Sequence, residues 1–151
     1  SAASDVYKRQ VHHSEFISDL IKERKIEPEA SLEEDVTFHD ACYVGRHHGE
    51  YDAPRDVLQS VLSEKATIKE MPRNKQDSFC CGAGGGNMWY EIKQGKRINV
   101  ERFEEAIETG VKKVATSCNF CMIMMEDGRK VTGQDENMEV YDIAELVAER
   151  I

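Results

Sequence analysis

Ser78-Phe79-Cys80-Cys81-Gly82-Ala83-Gly84-Gly85-Gly86 sets two adjacent cysteines at the head of a glycine-rich loop. Neighbouring cysteines are a poor structural pair: a disulfide between them is strained, and two buried thiols pack no better than two alanines. They make sense as two sulfurs that bind something. Cys42 lies alone upstream, and Cys118-Asn119-Phe120-Cys121 forms a C-x-x-C downstream. All five cysteines therefore fall into one series (C, CCG, CxxC) with intervals of 38 and 37 residues.

The segments that carry these cysteines alternate between strand and helix signals. Asp35-Val36-Thr37-Phe38-His39-Asp40 is rich in β-branched and aromatic residues and reads as a strand, with Cys42 just beyond its end. A loop over 43–52 leads to Pro54 in the first turn of a helix whose inner face carries Val57, Leu58, Val61 and Leu62. Ala66 to Met71 reads as a second strand, and the polar stretch 72–77 delivers the cysteine pair. After the glycines, 87–94 suits one or two helical turns, and Asn99 is placed to cap a helix running to Gly110. Lys113 to Ser117 is a third strand, and Cys118 opens a helix continuing through Met122, Met125 and Val131. Glu139-Val140-Tyr141 is a fourth strand, followed by a terminal helix capped by Asp142.

Upstream, Phe16, Ile17, Leu20 and Ile21 repeat at helical spacing behind Ser14 as N-cap, and His12 and His13 read as capping or packing groups. The expected fold is α/β and Rossmann-like, with a mainly parallel sheet of about four strands flanked by helices. In such a sheet Cys42, Cys80, Cys81 and Cys118 all follow strands, so the cysteines gather at the carboxyl edge, where these folds bind ligands.

Bulk properties narrow the classes. A chain of 151 residues supports one domain, and 40% hydrophobic with 32% charged residues describes a soluble globular protein. Its apolar runs are too short and interrupted for a membrane span. A net charge of −9 without a basic stripe argues against nucleic acid as a partner. An odd number of cysteines without a secretory signal favours reduced thiols in a cytoplasmic setting. Residues 1–10 (SAASDVYKRQ) look like a non-native, adapter-derived extension. The expectation is that 11–151 forms one cysteine-rich domain, the C-terminal fragment of a longer protein.

Three chemistries suit the cysteines. Iron–sulfur groups take thiolate ligands and use all five; diverging Cys80 and Cys81 side chains suit a group of extended shape. Cys118 and Cys121, one turn apart at a helix start, lie where amides favour thiolate. The N–H groups of Gly82, Gly84, Gly85 and Gly86 are then candidate donors to cluster sulfides. A zinc site on Cys80, Cys81, Cys118 and Cys121 leaves Cys42 idle. A thioredoxin-like C-x-x-C explains only two of the cysteines. The glycine run lacks the Lys-Ser/Thr ending of a phosphate loop and breaks G-x-G-x-x-G at Asn87.

Whole motifs extend the pattern. His39-Asp40-Ala41-Cys42-Tyr43-Val44-Gly45-Arg46 is similar to HDPCYLGR, Tyr51 to Arg55 reads YDAPR, and Phe79 to Trp89 is similar to FCCGAGGGRMW. With Gly95 to Asn99 and Val114 to Cys121, they resemble the cysteine-rich CCG domain of the heterodisulfide reductase B/D family. The likeness covers essentially 11–151.

It implies one noncubane [4Fe–4S] cluster on Cys42, Cys80, Cys81, Cys118 and Cys121, serving electron transfer or disulfide reduction. It also implies ferredoxin-type or flavoprotein modules as partners, and in quinone-linked relatives a membrane-bound quinone-reducing partner at the inner face of the membrane. Ala41 stands where proline is usual, and Asn87 replaces an arginine or lysine. Near the cysteines, His39 is the candidate catalytic residue as a proton donor; Tyr43 and Arg46 are possible neighbours of the cluster, and Trp89 is expected to pack over the loop. Met122 and Met125 are expected to fill core.

Overall fold

The computed structural model describes residues 10–90 and 95–151. The reading of 1–10 as an extension therefore lies, but for Gln10, outside the described residues, as does the second half of the turn expected over 87–94. The chain runs α1 (His13–Lys22), β1 (Val36–His39), α2 (Asp52–Val61), α3 (Ile98–Glu108), β2 (Lys113–Thr116), α4 (Asn119–Val131), β3 (Glu139–Asp142) and α5 (Ile143–Ala148).

The strands form a parallel sheet in the order β1-β2-β3, in register so that His39, Thr116 and Asp142 end side by side. Alternate strand residues face opposite ways. Val36, Phe38 and Ala115 join Val57, Leu58, Val61, Ile143 and Leu146 in one apolar layer, against which Ile17 and Ile21 of α1 pack. Val114 and Val140 meet Met71, Phe103, Ala106 and Met125 in the other. Both faces of the sheet are covered, so β1 is buried along its whole length and β2 at all but its first residue, although both carry polar residues.

The α/β architecture and the carboxyl-edge placement agree with the sequence. The strand number does not: among the described residues the sheet has three strands, and 66–71 adds only an isolated bridge between Val36 and Ile68. Thr67 O accepts from Val36 N and Lys69 N donates to Val36 O, after which the chain leaves the edge. Met71 turns wholly into the second apolar layer, and Pro72 has no N–H with which to extend a ladder.

Two caps also move. His12, not Ser14, caps α1, in a reciprocal box with Glu15. α3 starts after Arg97 with no side-chain cap, and Asn99 is buried within its first turn. There its amide donates to Met124 O at 3.1 Å and to Asp127 Oδ2 at 2.7 Å, tying α3 to α4. Asp142 caps α5 as expected, paired with Glu145.

Candidate metal centre

Beyond β1, residues 43–47 form a π-helical turn where a loop was expected, and Cys42 stands at its head. Asp40 anchors this corner. Its carboxylate is gripped by Arg55 at 2.8 and 3.0 Å, and Arg55 also pairs with Glu70. The same carboxylate accepts Lys75 N at 2.7 Å, and Ser78 Oγ donates to Asp40 O at 3.2 Å. The segment leading into Cys80 and Cys81 is thus tied to the residue two before Cys42.

Arg73 stacks its guanidinium 3.6 Å over the Phe79 ring, fixing the approach from the other side. Gly82 then reverses the chain at φ +91, and a Cβ there would stand 3.2 Å from Ile98 Cβ and 3.3 Å from Asn99 N. That position needs glycine on both counts. Its N–H donates to Cys80 Sγ at 3.2 Å.

Beyond β2, Cys118 is the N-cap of α4 and Cys121 lies in its first turn. Exposed amides at a helix start favour thiolate. The Cys118 pKa is lowered to about 6, first by a hydrogen bond with Cys121 and then by the N–H groups of Cys121 and Phe120.

The three segments converge. Cys121 Sγ and Cys81 Sγ are 3.3 Å apart, and both are buried. A ring nitrogen of His39 joins them, all three atoms lying within 4.8 Å of one another. Cys81 is held below the ordinary thiol range by hydrogen bonds with Cys121 and Cys80, then with His39 and the Ala83 N–H. Cys121 is pushed up by Cys118 and Cys81, and Cys80 by Cys81, by burial and by the nearby Cys42. Each sulfur thus acts on another of the set, and none is in a disulfide. So many close sulfurs resist becoming thiolates together unless a positive centre is supplied, which is what metal binding does.

A cavity of about 930 Å³ opens on the cysteines, and Cys42, Cys81, Cys118 and Cys121 line it. Cys80 is not among its lining residues and joins the set through its hydrogen bond with Cys81. Ala41, Val44 and Met124 pack around Cys81 and Cys121, giving the sulfurs an apolar back wall. Five convergent sulfurs beside a void of this size fit a polynuclear iron–sulfur group; a single tetrahedral ion needs neither the fifth thiol nor the space.

The glycines divide: Gly84 and Gly86 line the cavity, Gly82 turns the chain behind Cys80, and Gly85 does neither. Trp89 does not pack over the loop. It stands 78% exposed at the cavity mouth, because the 3₁₀ turn Gly84–Trp89 carries it outward. Met125 fills core as expected, with Met122 packed at its margin.

Sequence reasoning missed a polar group behind the sulfurs. Arg102 is wholly buried; its Nε donates to His39 Nδ1 at 2.9 Å and its Nη1 to Arg73 O at 2.8 Å, and it pairs with Glu105. Burial lowers the His39 pKa, which keeps the ring neutral. The available signal was a charged residue in the helical phase of Asn99, Phe103 and Ala106, where an apolar one belongs.

Comparison with known proteins agrees with this geometry. The CCG cysteine-rich domain family matches residues 36–126. The chain is 39% identical over 140 residues to the probable iron-sulfur-binding oxidoreductase FadF of Bacillus subtilis, covering 93% of this chain and 20% of that protein. It is 38% identical to the EtfAB:quinone oxidoreductase of Syntrophomonas wolfei, over 90% of this chain and 20% of that one. With the D component of the dihydromethanophenazine:CoB--CoM heterodisulfide reductase of Methanosarcina mazei the identity is 40%, over 93% of this chain and 34% of that component. The chain thus spans between a fifth and about a third of the length of these relatives. With its CCG pair, its C-x-x-C and its upstream cysteine drawn to one sheet edge, the chain belongs to the CCG cysteine-rich domain family.

Proposed function

We propose that this chain is the cluster-holding domain of a larger iron–sulfur oxidoreductase, with Cys42, Cys80, Cys81, Cys118 and Cys121 carrying one noncubane [4Fe–4S] group. The observation that supports it best is the meeting of cysteines from three distant segments, four of them lining one apolar-walled cavity and Cys80 joined to them through Cys81. When bound, such a group supplies single-electron transfer and, in a heterodisulfide-reductase-like setting, reductive cleavage of a sulfur–sulfur bond. The protein's own part is to hold the thiolates ready and keep water from their buried side. Amide N–H groups at Gly82, Ala83 and the start of α4 stabilise the sulfur charge. His39 adds a further hydrogen-bonding group at Cys81.

The names of the relatives support an electron-transfer role, and the small share of each that this chain spans supports partner modules. In this reading those modules are ferredoxin-type or flavoprotein units, and the assembly works on the cytoplasmic side of a membrane through a quinone-reducing partner. No helix among the described residues is long and apolar enough to cross a membrane. Tyr43 and Trp89, both strongly exposed at the cavity mouth, mark the side from which a donor or disulfide approaches.

The competing reading is a zinc-binding structural module on the same cysteines. Cys42 separates the two, since only the five-sulfur group uses it. On anaerobic reconstitution of the chain with iron and sulfide, Cys42→Ser should retain less iron and change the EPR spectrum of the oxidised protein. Unchanged iron and an unchanged spectrum would remove Cys42 from the ligand set and, with it, the noncubane assignment.

A further inference from the structure

Behind the sulfurs lies a buried polar array that metal binding by cysteine leaves unexplained. Arg102 has no exposed surface, and burying a guanidinium is costly unless its donors and its charge are matched. Glu105 matches part of the charge and is shared with Arg73. Arg73 in turn lies over Phe79, next to Cys80. The array therefore holds two guanidiniums around one buried carboxylate, with the half-exposed Glu101 at its outer end. Its positive side faces His39.

The contact that decides the chemistry is Arg102 Nε donating to His39 Nδ1 at 2.9 Å. An arginine Nε always carries its hydrogen, so the Nδ1 lone pair is occupied as an acceptor and Nδ1 bears no proton. A neutral imidazole then carries its one proton on Nε2. One ring nitrogen lies within 4.8 Å of Cys81 Sγ and Cys121 Sγ, and with Nδ1 taken by Arg102 the nitrogen with a hydrogen to offer them is Nε2. A nitrogen bearing hydrogen has no lone pair to offer a metal, so the His39–Cys81–Cys121 grouping is not a three-ligand metal site.

We propose that Arg102 locks His39 as the Nε2–H tautomer, making His39 a fixed hydrogen-bond donor to the Cys81 sulfur, and that the pair raises the reduction potential of the group Cys81 holds. Arg102 is a positioning residue here. It reaches the sulfur only through the ring it orients. Hydrogen bonds to cluster sulfurs and nearby positive charge both favour the reduced, more negative state. The second half of this proposal rests on the iron–sulfur reading; the first half does not.

Two measurements test it separately. In the reduced, metal-free chain labelled with ¹⁵N, long-range ¹H–¹⁵N correlations report which ring nitrogen is protonated. The expected pattern for His39 is a protonated Nε2 coupled to both ring C–H protons, with Nδ1 bare. A proton on Nδ1, or on both nitrogens, overturns the lock. In the reconstituted chain, redox titration compares His39→Gln with His39→Leu. Glutamine presents a carbonyl towards Arg102 and an N–H towards Cys81, whereas leucine presents neither.

His39→Leu should lower the one-electron reduction equilibrium by about tenfold, about 59 mV, and His39→Gln should restore more than half of that. Equal shifts in both variants, or none in either, overturn the potential-raising role. A chain that takes up no iron overturns that half through the failure of the iron–sulfur reading, and the ¹⁵N pattern still decides the tautomer.

Discussion

Asp40 shows how much of the site is made by residues that bear no sulfur. Its carboxylate meets Arg55 and the Lys75 N–H, and its carbonyl meets Ser78, so one residue joins the Cys42 corner to the approach of Cys80. Asp40 is 4% exposed and Arg55 is paired on both sides, so Asp40→Asn leaves a largely buried guanidinium with one anionic partner. The expected loss is about 3 kcal/mol, seen as a lower urea midpoint, together with weaker retention of metal.

At this scale the cysteines were legible because their pattern is written directly in the chain. Arg102 was not, because its bond to His39 spans 63 positions and only the fold brings the two together. Trp89 misled for a related reason. Nothing local in Gly84–Trp89 tells that two glycines at positive φ turn the indole outward.

Between elements, the packing of α3 on α4 decides where Cys118 and Cys121 sit. Gly128 is the contact point: a Cβ there would lie 2.9 Å from both Asn99 O and Phe103 Cβ. Gly128→Val should therefore push α4 away from α3, costing on the order of 3 kcal/mol and reducing iron retention, measured by denaturation and metal analysis on the same sample. Asp142→Ala provides the contrast. It removes the α5 cap and the contact with His13 but opens no clash between helices, and should cost only about 1 kcal/mol in the same denaturation measurement.

The elements themselves were largely readable, since each strand or helix carries its own period. What failed was the edge. The β-favouring stretch 66–71 touches β1 only around Val36 before Met71 is drawn into the second apolar layer, so tertiary packing overrides local preference. Asn99 failed similarly, as a good capping residue whose amide serves a neighbouring helix instead.

The whole molecule is a parallel sheet between two apolar layers, with the sulfurs at its carboxyl edge and the cavity opening outward from them. For Cys42 and Cys118 the carboxyl-edge position followed from alternation, because parallel strands linked by helices carry every β-to-α loop to the same side. Cys80 and Cys81 come there instead from a segment outside the sheet, tied down through Asp40. A group bound across loops after different strands ties those strands together and favours the folded state by mass action. Occupancy about a thousandfold above the dissociation constant stabilises by about 4 kcal/mol, which in a domain of this size raises the melting temperature by on the order of 10 °C. Stripping iron with a chelator should reverse that rise, and Cys81→Ser should abolish it.

The central claim is tested most directly by counting iron, acid-labile sulfide and zinc in the anaerobically reconstituted chain. The account predicts about four irons and four sulfides per chain with negligible zinc. One zinc and no sulfide would contradict it, leaving the five cysteines as a structural knot rather than a redox centre.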